Sequence, residues 1–182
     1  STISILFLVA ILFFSCFGTN VRFVEPQPES LEELTYIPEK FQGTFVINKD
    51  TIEVTDCTIS GDTINSNTLV VKGWGNYLFV NSLEKGVYKL GCAKVVNVWN
   101  NEELSLEYFI IDPLTKVLSD DLPKEEYETA AKEKLDQMIA DENNPLVGVD
   151  STEWIFILDN VSINQFQSLL NNAESKKVIR IK

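Results

Sequence analysis

Residues 68–81 read TLVVKGWGNYLFVN, and this stretch decides the fold. Two runs rich in β-branched and aromatic residues, 68–72 and 77–81, flank the short segment Gly73-Trp74-Gly75. Such runs favour β-strands, and glycines between two of them favour a tight turn. The stretch therefore predicts an antiparallel hairpin with an aromatic side chain at its turn.

The strand pattern continues on both sides of this hairpin. Gly61-Asp62 is a two-residue hairpin signal between two short runs, and Gly91 is predicted to form a β-bulge between two others. The further strand-like runs are 44–48, 51–55, 57–60, 63–65, 87–90, 94–99, 104–111, 154–158 and 178–181. Many short strands joined by short turns predict an antiparallel meander, a barrel or a curved sheet.

The carboxyl-terminal half adds helical periodicity to the strands. Apolar residues recur at three- and four-residue intervals within 123–141, after an acidic start that suits the amino end of a helix. A second helix is predicted at 162–173, where Ser162 and Gln165 have the spacing of a capping box. The predicted fold class is therefore α+β, mainly antiparallel, with two helices in the carboxyl-terminal half of a single domain spanning 31–182.

The amino-terminal segment has the pattern of an export leader. Residues 1–15 carry no charge, and 5–14 form an unbroken apolar run of ten residues. A bilayer span needs about 20 apolar residues, whereas the core of a secretory signal needs about 7–15. The chain begins with Ser1 rather than Met and shows no basic residue before the run, so we expect a few residues, including Lys, to precede it.

The end of the apolar run resembles the lipobox of bacterial lipoproteins. Small Ser15 directly precedes Cys16, whereas Leu12 lies one place too early and Phe13 stands where leucine is usual. The resemblance implies cleavage before Cys16, acylation of its thiol with chains such as palmitate, and usually of its new amino group. Two or three acyl chains anchor a protein stably. The alternative is an uncleaved, marginal membrane anchor with an incidental cysteine.

Residues 16–30 are predicted to be a lipidated cysteine followed by a tether. The segment Glu25-Pro26-Gln27-Pro28-Glu29 favours extended, poorly packed backbone because proline recurs at alternate positions. The next apolar residues recur at three- and four-residue spacing, which predicts that they cover one end of the core. They are Leu31, Leu34, Ile37 and Phe41.

The order of leader, cysteine, tether and strands resembles a group of uncharacterised Bacteroidetes-type lipoproteins. In that group a proline-rich tether leads into an aromatic-x-Gly-x-aromatic strand, which here is Phe41-Gln42-Gly43-Thr44-Phe45. The resemblance implies a β-rich domain in the cell envelope, anchored to the outer membrane and facing the periplasm. It implies no activity. The opening Gly43-Thr44-Phe45 is also similar to the first strand of lipocalin-like barrels, which implies a lipocalin-like barrel as one form of the predicted sheet.

Composition excludes several classes of function. The chain has 182 residues, no histidine and a formal net charge of −12 at pH 7. Without histidine, Ser-His-Asp and Cys-His pairs and HExxH zinc centres are ruled out. The acidic balance argues against nucleic-acid binding, which needs a basic surface. It also argues against attachment to anionic headgroups by charge.

Three residues besides Cys16 are candidates for chemistry or binding. Cys57 and Cys92 form an even pair that either makes a disulfide or remains as two buried free thiols. Trp74, flanked by glycines, either lies at the rim of a ligand site or plugs the end of a barrel.

The many carboxylates predict no catalytic or metal site. The two carboxylates of Asp120-Asp121 stand at the start of a predicted helix, and acidic residues commonly cap the amino end of a helix. Capping therefore explains this pair without a catalytic role. Asp141, Glu142, Asn143 and Asp150 lack the order and central glycine of an EF-hand calcium loop.

These features predict a non-enzymatic, lipid-anchored periplasmic binding module without a cofactor. Its partner is expected to be a small apolar molecule or an envelope protein. The alternative is an interaction subunit of an envelope complex that uses the acidic helix at 125–136. A carboxylate-based envelope hydrolase is the third hypothesis, disfavoured because carboxylate pairs are expected by chance in so acidic a chain.

Overall fold

The computed structural model describes residues 21–47, 50–96, 105–110, 145–150 and 155–181, together with positions 123, 126, 129, 130, 132, 133, 136 and 137. Cys16, Trp99, Trp154 and Asp120-Asp121 lie outside the described residues. The strands are β1 (Val21–Phe23), β2 (Gly43–Ile47), β3 (Asp50–Val54), β4 (Thr58–Ile59), β5 (Asp62–Thr63), β6 (Leu69–Trp74), β7 (Tyr77–Glu84), β8 (Val87–Val96), β9 (Ser105–Ile110), β10 (Leu146–Asp150), β11 (Ile155–Leu158) and β12 (Glu174–Arg180). A 3₁₀ turn covers Glu39–Phe41, and helix α1 covers Ile163–Asn172.

The described strands form one twelve-stranded sheet that branches at β8. One edge of β8 pairs with β7, and its other edge is shared by β1 and β9. From β9 the sheet continues through β12, β2, β3 and β4 to β5, while from β1 it continues through β11 to β10. The sheet is mainly antiparallel, as the sequence predicts, but β1 and β11 are parallel. No pairing among the described strands closes it into a barrel.

The central strands bury both of their faces, so the domain has two cores. Leu78 and Val80 of β7 face one core, whereas Phe79 between them faces the other. This alternation follows from the two-residue side-chain period of a strand. The first core contains Ile37, Phe41, Phe45, Ile59, Ile64, Leu69, Val71, Leu78, Val80, Val95, Leu106 and Val178. The second core contains Val21, Phe23, Phe79, Leu90, Cys92, Leu158, Val161 and Phe166.

Helix α1 covers the second core and begins as the sequence predicts. The capping box is present: Gln165 N donates to Ser162 Oγ at 3.3 Å, and Ser162 N donates to Gln165 Oε1 at 2.9 Å. Phe166 is buried in the second core, with Leu169 and Leu170 packed beside it. Seven described positions within the predicted helix 123–141 are also helical, namely 126, 129, 130, 132, 133, 136 and 137. The residues between them and those from 138 to 141 lie outside the described residues.

The predicted bulge at Gly91 is wrong. The runs 87–90 and 94–99 were expected to be separate, but residues 87–96 form one strand, β8. Gly91 is buried and stands opposite Val80 in a register that runs without a break along β7. The alternation of buried side chains continues through the glycine, because Leu90 and Cys92 both face the second core.

The predicted tether differs most from the structure. Strand β1 lies inside the sheet between β8 and β11, with Val21 and Phe23 fully buried in the second core. Gln27 and Pro28 are buried as well. The alternating prolines prevent regular structure there but do not prevent packing, because the carbonyls of this segment are bonded by side chains from the sheet. Residues 21–30 therefore belong to the folded domain.

Candidate functional site

Trp74 is an exposed aromatic residue at the tip of the β6–β7 hairpin. It is the last residue of β6, and the turn itself is Gly75-Asn76, with Gly75 at a φ of 57°. The indole ring is 59% exposed and stacks on its cross-strand partner Tyr77, with centroids 6.4 Å apart. Lys40 Nζ donates to Gly75 O and to Asn76 Oδ1 and so braces the turn. Trp74 therefore does not plug a barrel end.

Trp74 is the outer end of a row of four rings, which we call the aromatic row: Trp74, Tyr77, Phe79 and Phe166. Tyr77 and Phe79 stack with centroids 6.0 Å apart, and Phe79 meets Phe166 of α1 edge-on at 5.5 Å. Lys94 Nζ lies 5.2 Å from the centroid of the Tyr77 ring. Phe79 and Phe166 are buried and Tyr77 is half-buried, so the row supports the exposed indole from below, and its free face can stack on a ligand or on a partner surface.

Residues 25–30 are held on the face of the sheet that carries the aromatic row by three buried polar side chains. These side chains, which we call the polar anchor, are Gln27, Lys72 and Asn81. Asn81 is 0% exposed; its Oδ1 accepts from Gln27 N at 2.7 Å, and its Nδ2 donates to Gln27 O at 2.9 Å. Lys72 Nζ donates to Pro26 O at 3.0 Å and to Pro28 O at 2.9 Å. The anchor explains how a proline-rich segment is held in a fixed position.

Lys72 is a structural donor in this arrangement. Burial lowers the pKa of its ammonium group, and the carboxylates of Glu33, Glu29 and Glu25 partly oppose that effect. Both carbonyl bonds of its Nζ run to the segment that it supports. The only sequence signal for this role is a lysine within the run 69–73, whose other residues are apolar or glycine.

A cavity of about 400 Å³ lies between residues 27–30 and the beginning of α1. Its other walls are Val161, Ser162, Ile163 and Phe166. Phe166 is the inner end of the aromatic row, so the cavity and Trp74 lie at opposite ends of that row. Gln27 is one of the lining residues, and its Oε1 atom is fully buried without a hydrogen-bond partner among the described residues. Sequence reasoning missed this cavity because its two walls are far apart along the chain.

Cys57 and Cys92 are both free thiols. Cys57 is exposed in the turn between β3 and β4, beside first-core residue Ile59. Cys92 is 1% exposed and belongs to the second core. One thiol is exposed and the other is buried in the second core, and the two do not form a disulfide. Burial raises the pKa of the Cys92 thiol, and the nearby Lys94 ammonium only partly opposes this.

We expect iodoacetamide to alkylate Cys57 in the native protein and to leave Cys92 unmodified. The thiolate is the reactive form, and Cys92 is both inaccessible and held as a thiol. Peptide mapping by mass spectrometry measures each site separately, and labelling in guanidinium chloride is the control in which both react. Native labelling of Cys92 at a rate close to that of Cys57 contradicts the structure, as does a peptide that links the two.

The described residues contain no group of three or more cysteine, aspartate or glutamate side chains that could hold a metal ion. Asp141, Glu142 and Asn143 lie outside the described residues, and Asp150 ends β10. Among the helices in the described part of the chain, none is long and apolar enough to cross a membrane.

Comparisons with protein-family models, curated proteins and solved structures found no match to this chain. Function must therefore be inferred from the residues themselves.

Proposed function

We propose that the protein is a non-enzymatic, lipid-anchored module of the bacterial cell envelope that binds a partner protein through the Trp74 end of the aromatic row. The anchor part rests on the uncharged leader and the Ser15-Cys16 junction. Its resemblance to Bacteroidetes-type lipoproteins supports attachment to the outer membrane, with the domain facing the periplasm. The binding part rests on the exposed, stacked indole.

The short distance between Cys16 and the folded domain limits where the domain can lie. Strand β1 begins at Val21, so five residue steps separate the proposed lipid attachment site from the sheet. Such a segment spans at most about 17 Å when fully extended. With a net charge of −12 the protein is not drawn to anionic headgroups. The acyl chains would therefore hold the domain close to the membrane, although the negative charge of the domain does not attract it to anionic headgroups.

The exposed indole is the observation that carries the binding proposal. Tryptophan is enriched among the residues that dominate binding energy at protein interfaces. Here the ring is already stacked on Tyr77, so little side-chain entropy remains to be lost on binding. A small apolar ligand, as a lipocalin-like fold would take, is the second candidate, because the same stacked pair offers a flat apolar surface to such a molecule.

The acidic helix is a further candidate surface for a protein partner. Glu126, Glu133 and Asp136 are exposed at the described helical positions. A partner held by these charges would be released at high salt, since exposed charge pairs are screened. A partner held by Trp74 would remain bound under the same conditions.

We expect metabolic labelling with a fatty-acid analogue to mark the wild-type protein and not the Cys16→Ala variant. Acylation requires the thiol at the lipobox junction, so the loss should be complete. Cys57→Ala is the matched control, because that thiol is exposed and lies outside the proposed signal; it should label like the wild type. Equal labelling of the wild type and Cys16→Ala would remove the lipid anchor from the proposal.

We expect Trp74→Ala to reduce partner binding at least tenfold without unfolding the domain. Interface hot spots cost about 2 kcal/mol or more when truncated to alanine, which exceeds a factor of ten in affinity. The readout is the amount of one defined partner co-purified from envelope fractions at low and high salt. Tyr36→Ala is the control, since Tyr36 is exposed but lies outside the aromatic row.

The result distinguishes the three binding modes. Unchanged partner recovery for Trp74→Ala together with loss at high salt assigns the interaction to the acidic helix. A lipid that co-purifies with the wild type and not with Trp74→Ala assigns the site to a small apolar ligand.

A further inference from the structure

Two lysine side chains flank the stacked Trp74–Tyr77 pair and place positive charge beside the exposed indole. They are Lys40 of the 3₁₀ turn and Lys94 of β8. We propose that the partner presents to this surface a segment in which a hydrophobic side chain is flanked by carboxylates. This inference rests on the proposed function, because it names the chemistry of the partner that Trp74 binds.

The ammonium group of Lys40 is fixed at the hairpin turn that directly follows Trp74. Its Nζ donates to Gly75 O and, at 3.1 Å, to Asn76 Oδ1. Both acceptors are neutral, so these hydrogen bonds hold the group in place without neutralising its charge. An ammonium group has three donors, and one of them therefore remains for a carboxylate.

Lys94 places a second ammonium group beside the same aromatic pair. It stands opposite Tyr77 in the β7–β8 ladder, and its Nζ lies 5.2 Å from the centroid of the Tyr77 ring. A cation at this distance from a tyrosine ring is attracted by the π electrons, which limits the conformations of the lysine side chain. The Tyr77 ring thus has both the Trp74 indole and the Lys94 ammonium as neighbours. An apolar face and a cation are presented together.

Neither ammonium group is neutralised within the part of the chain that the structure describes. No described carboxylate lies within 4.0 Å of Lys40 Nζ or Lys94 Nζ. Glu107 stands opposite Lys94 on β9 but lies beyond that distance. The chain has 27 acidic and 15 basic residues, so carboxylates are plentiful, yet these two lysines pair with none of the described ones. Both cations can therefore bond to carboxylates of another molecule.

The charge of the rest of the protein makes this surface selective. With a net charge of −12, the domain repels an acidic segment wherever lysines do not offset that charge. Attraction at one patch and repulsion elsewhere determine where such a segment docks. A basic segment would instead be attracted to the exposed carboxylates of the acidic helix. The Trp74 surface therefore suits a partner segment that is both acidic and hydrophobic.

The indole and the lysines contribute differently to the proposed complex. A few buried anchors, tryptophan prominent among them, supply most of the affinity at an interface. An exposed ion pair contributes at most about fivefold in affinity. The two lysines therefore select the partner segment, and high salt should weaken the complex a few-fold without releasing it.

The test measures binding of three synthetic peptides to the purified full chain in detergent. Each peptide carries one phenylalanine, flanked on both sides by glutamates, by glutamines or by lysines. The readout is the NMR signal of the Trp74 indole N–H, assigned by its loss in Trp74→Phe, so that a peptide bound to the acidic helix is not counted. Lys94→Glu and Lys94→Met alter the proposed contact. Lys85→Glu is the matched control, since Lys85 is exposed in the turn at the other end of β7 and the substitution changes the net charge equally.

We expect the glutamate peptide to bind at the indole at least about tenfold more tightly than the lysine peptide, with the glutamine peptide between them. Lys94→Glu should weaken binding of the glutamate peptide about tenfold and Lys94→Met about threefold, whereas Lys85→Glu should change it less than about twofold. Equal binding of the three peptides overturns the proposal. Absence of saturable binding of the glutamate peptide overturns it too, as does an equal loss for Lys94→Glu and Lys85→Glu.

Further results separate this inference from the proposed function. If Trp74→Ala loses its envelope partner while Lys94→Glu retains it, partner binding stands and the acidic chemistry is wrong. If Trp74→Ala retains its partner, the proposed function fails, and this inference fails with it. Phosphatidylglycerol added to the detergent micelles tests anionic headgroups. A shift of the Trp74 signal with this lipid and not with the glutamate peptide assigns the lysines to lipid and overturns the proposal.

Discussion

Replacing Asn81 by leucine is expected to lower the free energy of unfolding by about 3 kcal/mol, because two buried backbone groups lose their partners at once. The side chain accepts from Gln27 N and donates to Gln27 O, and all of these atoms are buried. Leucine has the same number and branching of side-chain heavy atoms as asparagine, so the change removes the hydrogen-bonding atoms with little change in side-chain shape. The freed segment also carries the carbonyls that Lys72 requires, which adds to the loss.

Chemical denaturation of the wild type and Asn81→Leu measures the difference directly. Asn67→Leu is the matched control, because Asn67 is exposed in a turn; it should change stability by less than about 0.5 kcal/mol. A loss below about 1 kcal/mol for Asn81→Leu would mean that the buried groups find other partners, and that the polar anchor does not hold residues 25–30 in place.

Replacing Phe79 by alanine should cost about 4 kcal/mol, which is the usual size for a fully buried phenylalanine. The ring is 1% exposed and is the contact between the sheet and the helix, stacking on Tyr77 and meeting Phe166 edge-on. Its removal leaves a cavity in the second core and takes away the surface on which α1 packs. We therefore expect α1 to exchange its amide hydrogens faster than the strands of the first core.

Denaturation and hydrogen exchange of Phe79→Ala test both parts of this expectation. Trp74→Ala is the informative comparison, because it truncates the exposed end of the same aromatic row and should cost less than about 1 kcal/mol. If Phe79→Ala and Trp74→Ala lose equal stability, the row is not a packed connection between hairpin and helix. Uniform exchange across both cores would likewise contradict the docking of α1 through Phe79.

Local sequence patterns predict the strands well, because strand propensity and turn signals depend on residues that are neighbours in the chain. The hairpin 68–81 is present as β6 and β7, and the run 44–48 forms β2 within one residue. The capping box at Ser162 is predicted for the same reason, since its two side chains lie three residues apart. Gly91 misleads because glycine is equally suited to a bulge and to a crowded position in a regular ladder.

The candidate sites also differ in whether the local sequence predicts them. Trp74 is identifiable from sequence, because flanking glycines place an aromatic residue near a turn. The polar anchor is not, because its hydrogen bonds join residues that are 46 and 54 positions apart. Nothing in the local pattern around Gln27 indicates burial. Its alternating prolines favour an extended chain, which is compatible both with a free tether and with a packed segment.

The sequence by itself determined the strand-rich class, the hairpins, the start of α1 and the absence of histidine chemistry, because composition and local periodicity dictate each of them. Only the tertiary structure decided that β1 enters the sheet beside β8 and β11, that the strands build two cores, and that Cys57 is exposed whereas Cys92 is buried. The physical reason is that contacts between distant segments determine which residues are buried and which strands pair. Because of those contacts, part of the segment that the sequence predicts to be a tether forms one wall of a cavity.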